Sequence, residues 1–360
     1  MDVIIIGGGV IGMLTARELH AAGARVSILE RQAPGKESSW AGGGILSPLN
    51  PWQVPEAIAR LCRWSQAAYP TLADDLLAST GIDPEWQQSG LMFKLGGEQQ
   101  TVVAWAEREQ LRFEILDDTG IGLEEPGVHV DPGDSAILFP DLAHIRNPRL
   151  LAALIRDLEL RGVQILNDAP VSELDFHEGQ VRAVVTPQGK HLAERFVIAA
   201  GAWSGRFGES TSAAVDVQPV RGQMLVFRSE PGVLRHIVLE DGCYLIPRRD
   251  GRILAGSTLE YAGFDKTTTE EAGKALADFA HRLLPALKNY PLEKHWAGLR
   301  PGTPDGIPFI GQHPSIANLY FNCGHFRNGL VMGPASARLM ADLLVGRPAI
   351  LDSAPYAIPA

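Results

Sequence analysis

The sequence predicts an α/β fold: a parallel-sheet domain that begins with a βαβ unit and is interrupted by an α+β domain on an antiparallel sheet. Three observations carry this. Asp2-Val3-Ile4-Ile5-Ile6 is an apolar, β-branched run that enters Gly7-Gly8-Gly9 and a helical stretch, and a second apolar run, Arg25 to Leu29, ends on Glu30. Residues 215–296 hold short strand-like segments with a single helical stretch. Leu319 to Cys323, a glycine turn and a further helical stretch then return to the strand-to-helix style of the N-terminus.

The first unit is a dinucleotide fingerprint in its required context. Gly7 allows the tight turn off the strand, Gly9 lets a pyrophosphate approach the backbone, and Gly12 lets the helix Val10 to Ala22 pack closely on the sheet. Glu30 ends the second strand, where an acid accepts hydrogen bonds from ribose hydroxyls.

The loop Arg31 to Pro51 is rich in Gly, Ser and Pro and contains Ser38-Ser39-Trp40-Ala41-Gly42-Gly43-Gly44, a composition suited to backbone approach to a ligand. A helix is predicted from about Pro55 to Ala78, then mixed short segments from Ile82 to Asp141. Asn147-Pro148 opens a further helix, with Asn as N-cap, leucines at helical spacing through Leu160 and a Gly162 stop, and strand Val163 to Leu166 follows. Val171 to Phe176 and Val181 to Thr186 alternate about Glu178-Gly179 as a hairpin. Phe196 to Ala200 is a buried strand running into Gly201-Ala202-Trp203, at the strand end where open α/β sheets place ligands. Gln223 to Phe227, Gly242 to Ile246 and Arg252 to Gly256 make the antiparallel sheet, with helix Glu270 to Leu284; a last helix spans Pro334 to Leu344.

Composition narrows the partners. At 360 residues the chain exceeds one typical domain. Its net charge of −10, without a long basic run, argues against nucleic acid and anionic membranes and for small molecules. Cys62, Cys243 and Cys323 are odd in number and lack metal-ligand spacing, which points to no metal, no disulfide framework and a reducing cytoplasm. The N-terminus has no basic n-region and is broken by glycines, unlike a signal peptide, and no apolar run is long enough to span a bilayer.

Four blocks together resemble one family: Gly7 to Gly12 with Glu30; Phe196 to Trp203; Gly298-Leu299-Arg300-Pro301-Gly302-Thr303-Pro304-Asp305-Gly306-Ile307-Pro308-Phe309-Ile310-Gly311; and Gly324-His325-Phe326-Arg327-Asn328-Gly329. They resemble the FAD-dependent D-amino-acid-oxidase family over nearly the whole chain. The block Cys243-Tyr244-Leu245-Ile246-Pro247-Arg248 is most similar to its glycine-oxidising, thiamine-linked branch.

The resemblance implies a Rossmann-like FAD-binding domain formed by residues 1–83, 144–213 and 297–360, and a substrate domain formed by 84–143 and 214–296. It implies that Val10, Ile11, Glu30, Arg31, Ser38, Ser39, Gly43, Gly44, Ile45 and Val171 hold the ADP and flavin portions of FAD beside Gly7, Gly9, Gly12, Gly201 and Trp203. His325, Phe326, Arg327, Asn328, Gly329, Leu330 and Val331 wrap the isoalloxazine ring, with a helix aimed at it. Arg300 grips the substrate carboxylate, for which a planar guanidinium is suited; Tyr244 assists, and Arg327 and Leu259 line the substrate site.

Three positions depart from the family pattern: Leu259 replaces a methionine, Gly242 a histidine, and Gly298 the cysteine that carries covalent flavin in sarcosine oxidases. The last implies non-covalent FAD. The activity implied is oxidation of glycine, sarcosine and small D-amino acids by hydride transfer to flavin N5, with O2 reoxidising the flavin to give hydrogen peroxide. Glyoxylate and ammonia follow, or the imine feeds thiazole synthesis; the family also implies a homotetramer. Quinone-linked dehydrogenation, an amine on a macromolecule, and NAD in place of FAD remain as alternatives.

Overall fold

The computed structural model describes residues 1–359. A six-stranded sheet runs in the order Phe309–Gln312, Leu319–Cys323, Arg195–Ile198, Asp2–Ile6, Arg25–Leu29, Gln164–Leu166. All pairs are parallel except that of Phe309–Gln312 with Leu319–Cys323. The period of two separates its faces. Val3 and Ile5 pack against the helices Val10–Ala21, Glu56–Thr80, Asn147–Leu160 and Gly329–Val345, while Ile4 and Ile6 pack toward a three-stranded meander.

The meander adds a third strand, Gly189–Leu192, to the expected hairpin. Its turn has φ of 51° at Glu178 and 75° at Gly179, the positive pair that a type I′ turn requires.

Two helices start differently from the sequence expectation. Asn147 does not cap its helix: Arg146 holds that position, and the buried Asn147 amide instead donates to Ser39 O at 2.8 Å, tying down the glycine loop. The last helix begins at Gly329, five residues before Pro334, which lies inside it. Proline has no N–H to offer Leu330 O, and the buried Tyr69 hydroxyl donates to that carbonyl at 2.5 Å. Ser65 Oγ accepts from the next amide, Ala335, at 2.9 Å. Tertiary partners thus stand in for a missing helical bond.

The larger sheet has eight strands, in the order Leu292–Gly302, Gln218–Arg228, Arg252–Gly256, Cys243–Pro247, Ile237–Glu240, Leu91–Lys94, Ser135–Phe139, Glu114–Asp117. It is antiparallel except where Ile237–Glu240 pairs with Leu91–Lys94. The stretch Ile82 to Asp141 therefore supplies three strands of this sheet. Helix Glu270–Leu283 covers one face, and the other carries Tyr244 and Ile246 toward Ile45 and Leu49 of the glycine loop. Among the described residues no helix is long and apolar enough to cross a membrane.

Candidate active site

A cavity of about 780 Å³ runs from the C-terminal ends of the parallel strands to the face of the larger sheet. Every site residue expected from the sequence lines it except Gly12 and Leu259. Gly12 lies behind the wall: a Cβ there would stand 2.0 Å from Gly7 O, so its role is the close helix packing read from the fingerprint. Leu259 is the correction. It is 41 % exposed and belongs to no wall of the cavity; it sits between Thr258 and Glu260, whose backbones still bond to Gln223 and Arg221 of the neighbouring strand, and its side chain is left to solvent.

At one end the βαβ unit offers its backbone. Gly7 has φ +115°, and a Cβ there would lie 2.3 Å from Ala199 O, so the strand-to-helix turn needs glycine on both counts. The Glu30 carboxylate accepts from Gly8 N at 2.7 Å and Gln32 N at 3.2 Å. Ser39 Oγ accepts from Val10 N at 3.0 Å, and the Arg31 guanidinium lies 3.4 Å from the centre of the Trp203 ring.

At the other end are Tyr244, Arg300 and Arg327. The Tyr244 ring is held between two glycines: Cβ atoms built on Gly43 and Gly256 would stand 3.2 Å and 2.9 Å from its Cε2. Arg300 spends three of its five N–H donors on the protein. Nη1 donates to Thr258 O at 3.1 Å and Arg221 O at 3.4 Å, and Nη2 donates to Ser257 Oγ at 2.7 Å. Its remaining N–H donors meet no carboxylate or carbonyl among the described residues, and a side-chain hydrogen bond with Tyr244 supports its charge. Nε–H and one Nη2–H share an edge of the guanidinium, the pair that binds a carboxylate bidentately. Burial pulls the Arg300 guanidinium below its ordinary pKa; nearby Tyr244 opposes this and Arg327 adds to it. An anion at the free edge relieves both costs. Arg327 is exposed and makes no ion pair among the described residues.

Four further residues of the site carry no functional signal in the sequence. Ser257 and Asn147 line the cavity, and Gly222 and Gly256 stand behind Arg300 and Tyr244. Only the glycines within strands, which mark close approach of another group, were open to detection.

The walls fit a flavin dinucleotide on their own chemistry. The volume lies in the upper part of the range of roughly 300–1,000 Å³ for small-molecule sites. Wall residues Asn147, Asn322 and His325 each keep a buried polar atom without a partner, Oδ1, Oδ1 and Nε2 respectively, where a polar ligand satisfies what the protein does not. Burial pushes His325 down to about 3, so it is neutral. Gly298 presents no side chain, and Ala41 Cβ fills the space above it.

Residues 2–343 match the family described as FAD dependent oxidoreductase. The chain is 44% identical to the glycine oxidase of Pseudomonas putida over 358 residues, covering 99% of this chain and 98% of that one. It is 33% identical to the bifunctional protein ThiO/ThiG of Synechocystis, covering 96% of this chain and 51% of that longer one. The crystal structure of glycine oxidase from Geobacillus kaustophilus superposes with a TM-score of 0.94 at 29% identity, over 99% of this chain and 98% of that one. With its nucleotide turn, its cradle of backbone and its guanidinium edge in one cavity, the chain belongs to the family of FAD-dependent oxidoreductases.

Proposed function

We propose that this protein is a glycine oxidase that converts glycine, O2 and water to glyoxylate, ammonia and hydrogen peroxide, and that it supplies the glycine imine for thiazole synthesis. One observation carries the substrate class: a half-buried arginine that spends its protein bonds on carbonyls and a hydroxyl, not on a carboxylate, beside a tyrosine at the far end of the cavity from the nucleotide turn.

Bound FAD supplies the two-electron acceptor; Gly7, Gly9, Glu30, the Ser38 to Ile45 loop and the His325 to Val331 turn would hold it. The rest is orientation. The free edge of Arg300 takes both carboxylate oxygens and so fixes the substrate in two dimensions, which a lysine would not do. Tyr244, packed close against Gly43 and Gly256, lines the cavity beside Arg300. Substrate binds as the neutral amine, so no side-chain base is required. Glu30 and Glu37 are engaged elsewhere, by backbone amides and by Arg31 with Lys266 respectively. Oxygen is the electron acceptor in this proposal, a homotetramer the assembly and the cytoplasm the location, where three free thiols persist.

Arg300→Ala tests it. Glycine should bind at least about 100-fold more weakly, roughly 2.7 kcal/mol, with FAD still bound. Near-normal glycine turnover by that variant would remove the assignment. One peroxide per glycine consumed supports the oxidase; turnover with an added quinone but without peroxide supports a dehydrogenase instead.

A further inference from the structure

We propose that Ser257 is a third donor to the substrate carboxylate, acting beside the two free N–H groups of Arg300. The proposal rests on the carboxylate-binding function of Arg300 given above.

The geometry is specific. Ser257 Oγ accepts from Arg300 Nη2 at 2.7 Å, and this is the only hydrogen bond of its hydroxyl among the described residues. A serine hydroxyl has one hydrogen and two lone pairs, so accepting from arginine leaves the O–H unspent. Ser257 lines the cavity. Its unspent donor therefore adjoins the unspent edge of Arg300, and three donors converge where a carboxylate offers about four lone-pair sites.

The backbone that carries the hydroxyl is anchored through the next residue. The carbonyl of Thr258, the next residue, accepts from Arg300 Nη1, while its Oγ1 accepts from Gln223 N at 2.9 Å and donates to Glu260. Glu260 in turn is held by Arg221 Nη2 at 2.6 Å and Gln223 Nε2 at 2.9 Å. Such a shell holds a donor in place before substrate arrives, so that little ordering entropy is lost on binding. An apolar residue at 257 would leave the carboxylate one partner short.

The holoenzyme of Ser257→Ala and Ser257→Thr tests this, with glycine as substrate and acetate as a carboxylate lacking the amine, titrated on the flavin absorbance. For Ser257→Ala we expect KM for glycine and Kd for acetate to rise together by about 10-fold or more, the range of hydrogen bonds to charged groups. We expect kcat to stay within about two-fold, since ground and transition states lose the contact equally. Ser257→Thr should restore most of the loss, and FAD affinity should not move. Adding Ser257→Ala to Arg300→Ala should weaken acetate further, because the hydroxyl would act without the guanidinium. No further loss on that background would make Ser257 a prop for Arg300 and overturn the proposal. An unchanged acetate Kd in the single variant would overturn it as well. If Arg300→Ala alone leaves glycine and acetate binding intact, it is the carboxylate function of Arg300 that fails.

Discussion

The guanidinium of Arg300 occupies the space that a side chain at Gly222 would fill: a Cβ built there would stand 2.0 Å from Nη1 and 2.3 Å from Cζ. The two residues lie on paired strands, where Val220 faces Arg300 and Gly222 faces Gly298. Gly222 is thus the diagonal neighbour that lets the arginine lie flat on the sheet and reach Ser257 and Thr258.

Gly222→Ala should therefore disable substrate binding without touching the cofactor. The methyl group displaces the guanidinium from its carbonyl partners, and we expect KM for glycine to rise at least about ten-fold, or roughly 1.4 kcal/mol. FAD content, read from the absorbance of the purified protein, should stay at one per chain. An unchanged KM would contradict the packing.

Gly7→Ala should do the reverse. Both the left-handed φ and the 2.3 Å approach to Ala199 O oppose a side chain, at a cost of about 1–3 kcal/mol in strain alone. The expected product is a destabilised chain that purifies colourless. A fluorescence titration with FAD should give a Kd raised by at least about ten-fold.

Tyr69→Phe should loosen the start of the last helix. It removes the donor to Leu330 O, the carbonyl that Pro334 leaves without its helical partner, and a buried orphan of this kind costs about 1–3 kcal/mol. Urea unfolding of the apoprotein and holoprotein should show that loss in both. A midpoint equal to that of the parent protein would show that the carbonyl finds another partner.

Acid should destabilise the fold through its buried histidines. Burial pushes His325 from 6.5 down to about 3 and His144 well below its ordinary value, so both are neutral when folded and bind protons more readily when unfolded. The sign follows from linkage: the contribution of His325 is complete above about pH 6.5 and is lost as pH falls toward 3, by up to about 1.4 kcal/mol per pH unit, and His144 acts in the same direction. Thermal unfolding from pH 8 to pH 5 should show the decline, and His325→Asn should flatten part of it. A profile of His325→Asn as steep as that of the parent would exclude this histidine as a source.

How much was legible follows from distance along the chain. The nucleotide turn is written within thirty positions, because Gly7, Gly9, Gly12 and Glu30 act on one βαβ unit whose geometry is local. The helix Asn147–Leu160 is likewise visible in its leucine spacing, whereas the partner of the Asn147 amide, Ser39, is not. The resemblance puts Leu259 in the site, yet its side chain is exposed and outside the cavity wall, a placement that no local pattern marks.

The sequence by itself determined the α/β class, the dinucleotide turn and the family blocks, for these depend on short-range steric and hydrogen-bonding rules. Only the tertiary structure decided what Arg300 can do. Its three spent donors go to Arg221, Ser257 and Thr258, and its room comes from Gly222, all brought together by antiparallel register across three strands and the segment after them. Which donors the protein leaves to a ligand is a property of that register, which no local stretch of sequence contains.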